Sequence, residues 1–211
     1  MGLETIFFIA ILVMSVVIHE VSHGWVANLL GDPTAKLEGR LTLNPIKHLD
    51  PFGSVILPLL MSLVPGGIIF GWAKPVPFNP YNLKAGKWGP ALVAIAGPLS
   101  NLIIALFFGF LASSGLIASQ SFIALAGMVV LLNFSLMVFN LMPFPPLDGS
   151  KILFALLPYR LRAVQNIMEV YWPFFFLFFM MFLWKFVSII VIYLAVSTAG
   201  FWVITQALLA F

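Results

Sequence analysis

The stretch "VVIHEVSHGW", residues 16–25, sets His19, Glu20 and His23 inside an otherwise apolar run. An ionisable side chain at the centre of a bilayer costs roughly 2.5–3.5 kcal/mol on insertion scales, so three of them within two turns need a common purpose. On a helix, His19 and His23 stand at i and i+4, with both imidazoles on one face one turn apart. Two neutral imidazoles at that spacing suit Zn²⁺, and Glu20 beside them is placed to take a proton from a metal-bound water. Only three histidines occur in the chain, and two of them fall in this motif.

Composition sets the surroundings. The 211 residues are 62% hydrophobic and 8% charged, with a mean hydropathy of +1.11, which points to an all-α polytopic membrane protein. Little polar sequence lies outside the apolar runs, so residues 1–211 read as a single membrane-embedded domain. The formal charge of +3 is spread over turn-like segments with no basic cluster, which argues against nucleic acid and assigns those charges to membrane topology. With no cysteine, any metal must be held by nitrogen and oxygen. The N-terminus lacks a basic n-region, and its apolar run continues through the His-Glu cluster, so it is expected to be a retained helix and not a secretory signal.

Residues 3–30 read as one long helix, stopped by Gly31-Asp32-Pro33. A polar connector over 31–52 contains the turn signals of "NPIKHLDPFG". Residues 53–70 are apolar but interrupted by Pro58, Pro65, Gly66 and Gly67, and either span or re-enter. Spanning helices follow at 91–117 and 120–142, and "NLMPFPPLDGSK" ends regular helix near Asn140. Residues 151–170 suggest an amphipathic interfacial helix, and the last 40 residues two apolar runs joined near Lys185. The expectation is about five transmembrane helices plus a re-entrant or partly extended segment around a three-helix catalytic core. The core covers about 3–157 and the C-terminal membrane helices about 171–211.

Charge decides between the two readings of 53–70. If the segment re-enters, Lys36, Arg40, Lys47, Lys74, Lys84, Lys87, Lys151, Arg160 and Arg162 share one side, with only Lys185 opposite. The positive-inside rule favours that arrangement, with the N-terminus outside and the connectors in the cytosol. The broken segment then lines a cavity, the one setting in which irregular backbone is tolerated at that depth.

A catalytic zinc takes three protein ligands and keeps a position open. Among the remaining carboxylates, Asp148 alone directly follows a spanning helix that prolines unwind, and Gly149 after it permits a close turn. His19 lies about 16 Å along the helix axis from the cytosolic end at 1.5 Å per residue. Under re-entry, helices 91–117 and 120–142 return Asp148 to that same side.

With these residues in place, the chain closely resembles the site-2 protease family of intramembrane zinc metalloproteases. "HEVSH" resembles its first motif and "FNLMPFPPLDG" its second, while "NPIKHLDPFG", "FGWAKPVPFNP" and "AGPLSN" are similar to motifs of its small prokaryotic branch. The resemblance implies one Zn²⁺ held by His19, His23 and Asp148, Glu20 as general base, and hydrolysis of peptide bonds within a membrane-spanning substrate. The chain itself reads as lacking the family's frequent PDZ or CBS modules, and composition and charge bias lead us to expect a cell-membrane protein with the site towards the cytosol.

Asn140 matches the motif's Asn and is a candidate donor to the developing oxyanion, its alternative being a structural role. Asn133, seven residues earlier on about the same face, reads first as a helix–helix hydrogen bond. Asn101 is open between close helix packing and substrate contact, and His48 is expected to pair with Asp50 in an interfacial turn. An extended stretch near "GWAKPVPF" is a candidate edge strand for an unwound substrate. Two rival functions remain: a metal or proton transporter using the same ionisable groups, and a non-catalytic metal-binding membrane scaffold.

Overall fold

In the computed structural model, residues 3–62 and 72–209 are described. They are helical and irregular, with no strand among the described residues, and four helices are long and apolar enough to cross a membrane. Helix α1 (Leu3–Leu29) ends where Gly31 and Pro33 stop it. Helix α2 (Gly89–Ser113) carries Pro90 in its first turn, where a missing N–H costs nothing. Helix α3 (Gln120–Asn140) is capped by the Ser119 hydroxyl and ends at the expected Asn140.

The three form the core, with α2 in the middle. Its buried face is built of small residues, among them Ala91, Ala94, Gly97, Ala105, Gly109 and Ala112, which let neighbouring backbones approach closely. Helix α4 (Asp148–Leu156) packs back on α2. Leu157 is extended before Pro158, so the expected 151–170 helix is divided, and α5 (Arg162–Val170) buries none of its residues.

Helix α6 (Trp172–Phe178) runs through a π turn at Phe179–Leu183 into α7 (Trp184–Ala199), giving one continuous span where the sequence suggested a joint near Lys185. Nothing at Trp184-Lys185-Phe186 breaks a helix, and the exposed Lys185 leaves its backbone free to continue it. The break falls at Gly200, before α8 (Phe201–Leu209). A continuous cluster including Ala105, Val130, Phe134, Phe179, Val191 and Val203 joins α2 and α3 to α7 and α8. Large apolar side chains such as Phe107, Phe110, Phe174 and Ile189 cover the outside, as a lipid-solvated surface requires.

Between α1 and α2 the polar connector is tied together by two buried charges. Arg40, 5% exposed, donates to the carbonyls of Lys47, Lys74 (2.7 Å) and Pro75 (3.2 Å). Asp32, fully buried, accepts from the Thr34 hydroxyl (2.6 Å), the Asn79 N–H (2.6 Å) and the Asn82 amide (2.9 Å). Between these anchors, residues 72–79 form neither helix nor strand, and Asn79 at their end is extended.

His48 does not pair with Asp50. Its Nε2 meets the Thr42 carbonyl at 2.9 Å, while Asp50 caps the helical turn Pro51–Ile56 by accepting from the Phe52 and Gly53 N–H groups. Two unsatisfied N–H groups at a helix start outcompete a single imidazole for that carboxylate. The segment expected at 53–70 is helical to Ser62, and its remainder, 63–70, lies outside the described residues. Its two flanks touch: the Trp72 N–H donates to the Gly53 carbonyl at 3.1 Å and the Ser54 hydroxyl to the Trp72 carbonyl at 2.7 Å.

Burial alone would push the Asp32 carboxyl up, but its hydrogen bonds from Thr34, Asn82 and Asn79 outweigh this and hold it below the usual carboxylate range. A folded-state pKa below the unfolded value, near 3.9, stabilises fully above that pH and is lost as pH falls through the folded value. At pH 7, D32N is therefore less stable than the parent by about 1–3 kcal/mol. In detergent melts, that gap narrows as pH falls below about 4; a gap constant from pH 6 to 3 contradicts the assignment.

Candidate active site

Helix α1 presents His19 and His23 one turn apart, their rings 4.6 Å between centroids and nearly perpendicular. Asp148 comes to them from α4, whose first residue it is. After α3 ends at Asn140, Pro143, Pro145 and Pro146 prevent helix from resuming before Asp148. Gly149 then lets α4 seat against the end of α3: a Cβ there would lie 2.2 Å and 2.4 Å from the Leu141 and Met142 carbonyl oxygens.

The result is a buried cluster. Asp148 Oδ2 lies 3.2 Å from His19 Nε2 and 3.1 Å from His23 Nε2, and Lys151 Nζ lies 3.1 Å from the other carboxylate oxygen. The opposite ring nitrogens are both engaged, His23 Nδ1 with the Val93 carbonyl at 2.7 Å and His19 Nδ1 with Asn101 Oδ1 at 2.6 Å. Asn101 is itself bonded to Asn133, at 2.8 Å.

Glu20 turns toward the irregular segment, where Oε2 accepts the Val76 N–H at 2.8 Å. Donor atoms of His19, Glu20 and His23 all lie within 4.8 Å of one another. They open on a cavity of about 150 Å³ whose wall also includes Asn140, Val76, Phe78, Asp148 and Lys151. Asn140 thus reaches the cavity, with its Nδ2 donating to the Leu136 carbonyl at 2.9 Å.

This donor set fits a tetrahedral zinc. Bonds of about 2.0–2.1 Å from such an ion place neighbouring donors roughly 3.3–3.4 Å apart, close to the 3.1–3.2 Å spacing of Asp148 Oδ2 and the two Nε2 atoms. Space is left for it by Gly97 on α2, where a Cβ would stand 2.5 Å from both Nε2 atoms. Any larger residue would occupy the place the donors face.

Sequence reasoning singled out His19, Glu20, His23, Asp148 and Asn140, and all five line this one cavity. It left the contact between Asn101 and His19 unassigned, although an Asn inside a spanning helix is a signal that a partner exists. It also missed Val76, which contributes a backbone N–H and so leaves no trace in residue type. The described part of "GWAKPVPF", 72–78, forms no strand, and several of its donors are engaged. The N–H groups of Lys74 and Val76 are already donated to the His48 carbonyl and Glu20, and Pro75 and Pro77 have none to give.

Comparison with known proteins identifies the family. The profile of peptidase family M50 matches residues 7–117 and 110–183. A relative carrying a zinc metalloprotease name, YwhC of Bacillus subtilis (strain 168), is 42% identical over 178 residues, covering 78% of this chain and 75% of its own length. Rip2 of Mycolicibacterium smegmatis (strain ATCC 700084 / mc(2)155), also named as a zinc metalloprotease, is 34% identical over 137 residues, 64% of this chain and 51% of its own. Rip2 of Mycobacterium tuberculosis (strain ATCC 25618 / H37Rv) is 33% identical over 139 residues, with the same coverage. No solved structure gives a significant match. With its His-Glu-x-x-His helix, its facing Asp148 and this family match, the chain belongs to peptidase family M50 and is a zinc metalloprotease.

Proposed function

We propose that this multi-pass membrane protein hydrolyses peptide bonds within or near the transmembrane segments of other membrane proteins, with one Zn²⁺ held by His19, His23 and Asp148. The observation that carries the proposal is the convergence of the two Nε2 atoms and Asp148 Oδ2 at 3.1–3.2 Å inside a helix bundle with an apolar exterior. Bound there, zinc would act as a Lewis acid on a water molecule and on the scissile carbonyl.

The chain's own groups supply the rest. Glu20 is the general base: with Oε2 fixed by the Val76 N–H, its other oxygen takes the proton from the attacking water and later gives it to the leaving amine nitrogen. Asn140 gives one amide N–H to Leu136 and offers the other to the developing oxyanion. The substrate helix unwinds before cleavage, since its scissile carbonyl otherwise accepts an i to i+4 bond. Asp148 and both histidines are buried, so most of the compensation for this polar cluster comes from its partners in the fold.

A transporter or a bare scaffold accounts less well for Glu20 held beside the two histidines and opening on one cavity. We take the chain as one protease domain, because a continuous apolar cluster joins the core helices to α7 and α8. The site faces the cytosol with the N-terminus outside; the shared side of nine basic residues and the contact between Gly53 and Trp72 support a re-entrant 53–70. Its partners are then a transmembrane substrate and the lipid bilayer.

Incubated with transmembrane substrates, the purified protein loses cleavage on chelation and regains it with zinc. E20Q keeps its zinc and loses about 10²–10⁴-fold in rate; parental cleavage by E20Q rejects Glu20 as base. G97A loses zinc, whereas G109A, whose Cβ would meet nothing nearer than 3.5 Å, keeps it; metal analysis of the two variants decides whether the space beside Gly97 is the ion's. Cysteines at Lys36 and Lys84 label from the same face with an impermeant reagent, and labelling from opposite faces rejects re-entry.

A further inference from the structure

We propose that the buried amides of Asn101 and Asn133 are positioning residues that fix which ring nitrogen of His19 carries its proton, an inference that rests on the zinc assignment above. The relay begins at a group whose polarity cannot change. Asn133 Nδ2 lies 2.9 Å from the Val129 backbone carbonyl and 3.0 Å from the Ser15 hydroxyl. A carbonyl only accepts, so that end of Asn133 is its NH₂.

Polarity then propagates. Asn133 Oδ1 faces Asn101 at 2.8 Å, so Asn101 must meet it with its own NH₂. That leaves Asn101 Oδ1 facing His19 Nδ1 at 2.6 Å, an acceptor that demands a proton on Nδ1. In the neutral ring the lone pair is then on Nε2, the nitrogen turned toward Asp148. His23 reaches the same state in one step, because its Nδ1 meets the Val93 carbonyl directly.

An amide is nearly symmetric in shape and opposite in polarity at its two ends. Flipping both amides would present His19 with an N–H, move the lone pair to Nδ1 and place a proton on Nε2, where a metal ligand must have none. Asn101 and Asn133 are each fully buried, so no water can substitute for either partner. A flip of Asn133 would also set its oxygen against the Val129 carbonyl. The relay therefore transmits the orientation of a peptide group in α3 to a ring in α1 by way of α2.

A purely structural role predicts something different: loss of a helix–helix amide bond in lipid lowers thermal stability and leaves zinc affinity alone. The test compares parent, N133L and N101D/N133L in detergent, reading zinc affinity by chelator competition, the visible spectrum of the cobalt-substituted protein, and thermal unfolding without metal. N133L binds zinc about 10–100-fold more weakly, in the range for loss of a group that orients a ligand. N101D/N133L recovers most of that affinity and the cobalt spectrum without recovering stability, because a carboxylate accepts from His19 Nδ1 whatever stands at 133. Parental zinc affinity in N133L overturns the relay, and so does a double variant no better than N133L. Should N133L fail to fold, N101L and N101D decide the matter: N101L weakens binding and N101D retains it, and equal weakness in both overturns the proposal. A parent that binds no zinc overturns the zinc assignment and this inference with it, a result distinct from a zinc-binding parent that N133L leaves unchanged.

Discussion

A polar group carried into hydrocarbon has no water to fall back on, and the rest of this fold follows from that constraint. Three buried donors on α1 and α4 face one another; each must be satisfied on its far side as well, and α2 is the element that does it. Val93 and Asn101 on that helix take the two imidazole Nδ1 atoms, and Gly97 between them leaves room for what the Nε2 atoms face. One face of one helix thus orients both histidines and vacates the space in front of them. The small residues that let α2 sit so close to α1 and α3 serve the chemistry as much as the packing.

The polar connector obeys the same constraint by other means. Arg40 and Asp32, opposite in charge and both inaccessible, do not pair with each other. Each gathers backbone or amide groups from the segment that runs past the site. A guanidinium on carbonyls and a carboxylate on N–H groups convert two expensive buried charges into the fasteners of an irregular loop. The irregular segment 72–79 needs them, since its prolines deny it both helix and ladder.

What could be read from the sequence was whatever residue type and spacing carry. His19 and His23 at i and i+4, Asp148 beyond an unwound helix, Asn140 at that helix's end and the three core spans all follow from periodicity, breakers and the cost of charge in lipid, whereas the expected five spans are four, the C-terminal run Trp172–Ala199 being one. Less legible were contacts made by backbone or settled by competition. Val76 acts through its amide, and His48 lost Asp50 to a helix start. Lys185 looked like a boundary because a charge in an apolar run usually is one, yet nothing in the backbone there resists helix. The relay through Asn101 and Asn133 lay between these cases: the residues were conspicuous, but only their three-dimensional order shows a direction.

The grip of residues 72–79 on the site has a further consequence. Glu20 is held by the main-chain N–H of Val76, and Arg40 holds the main-chain oxygens of Lys74 and Pro75. These contacts register the path of the chain. The position of the Glu20 carboxylate thus depends on where that segment runs, and the segment is itself seated by the buried Val76 side chain, whose Cγ1 lies 2.7 Å from where a Cβ on Gly24 would stand. At Gly97, on the opposing helix, the first carbon of any side chain collides. One wall of this small chamber is thus set by the course of a loop, and the other by the absence of a side chain.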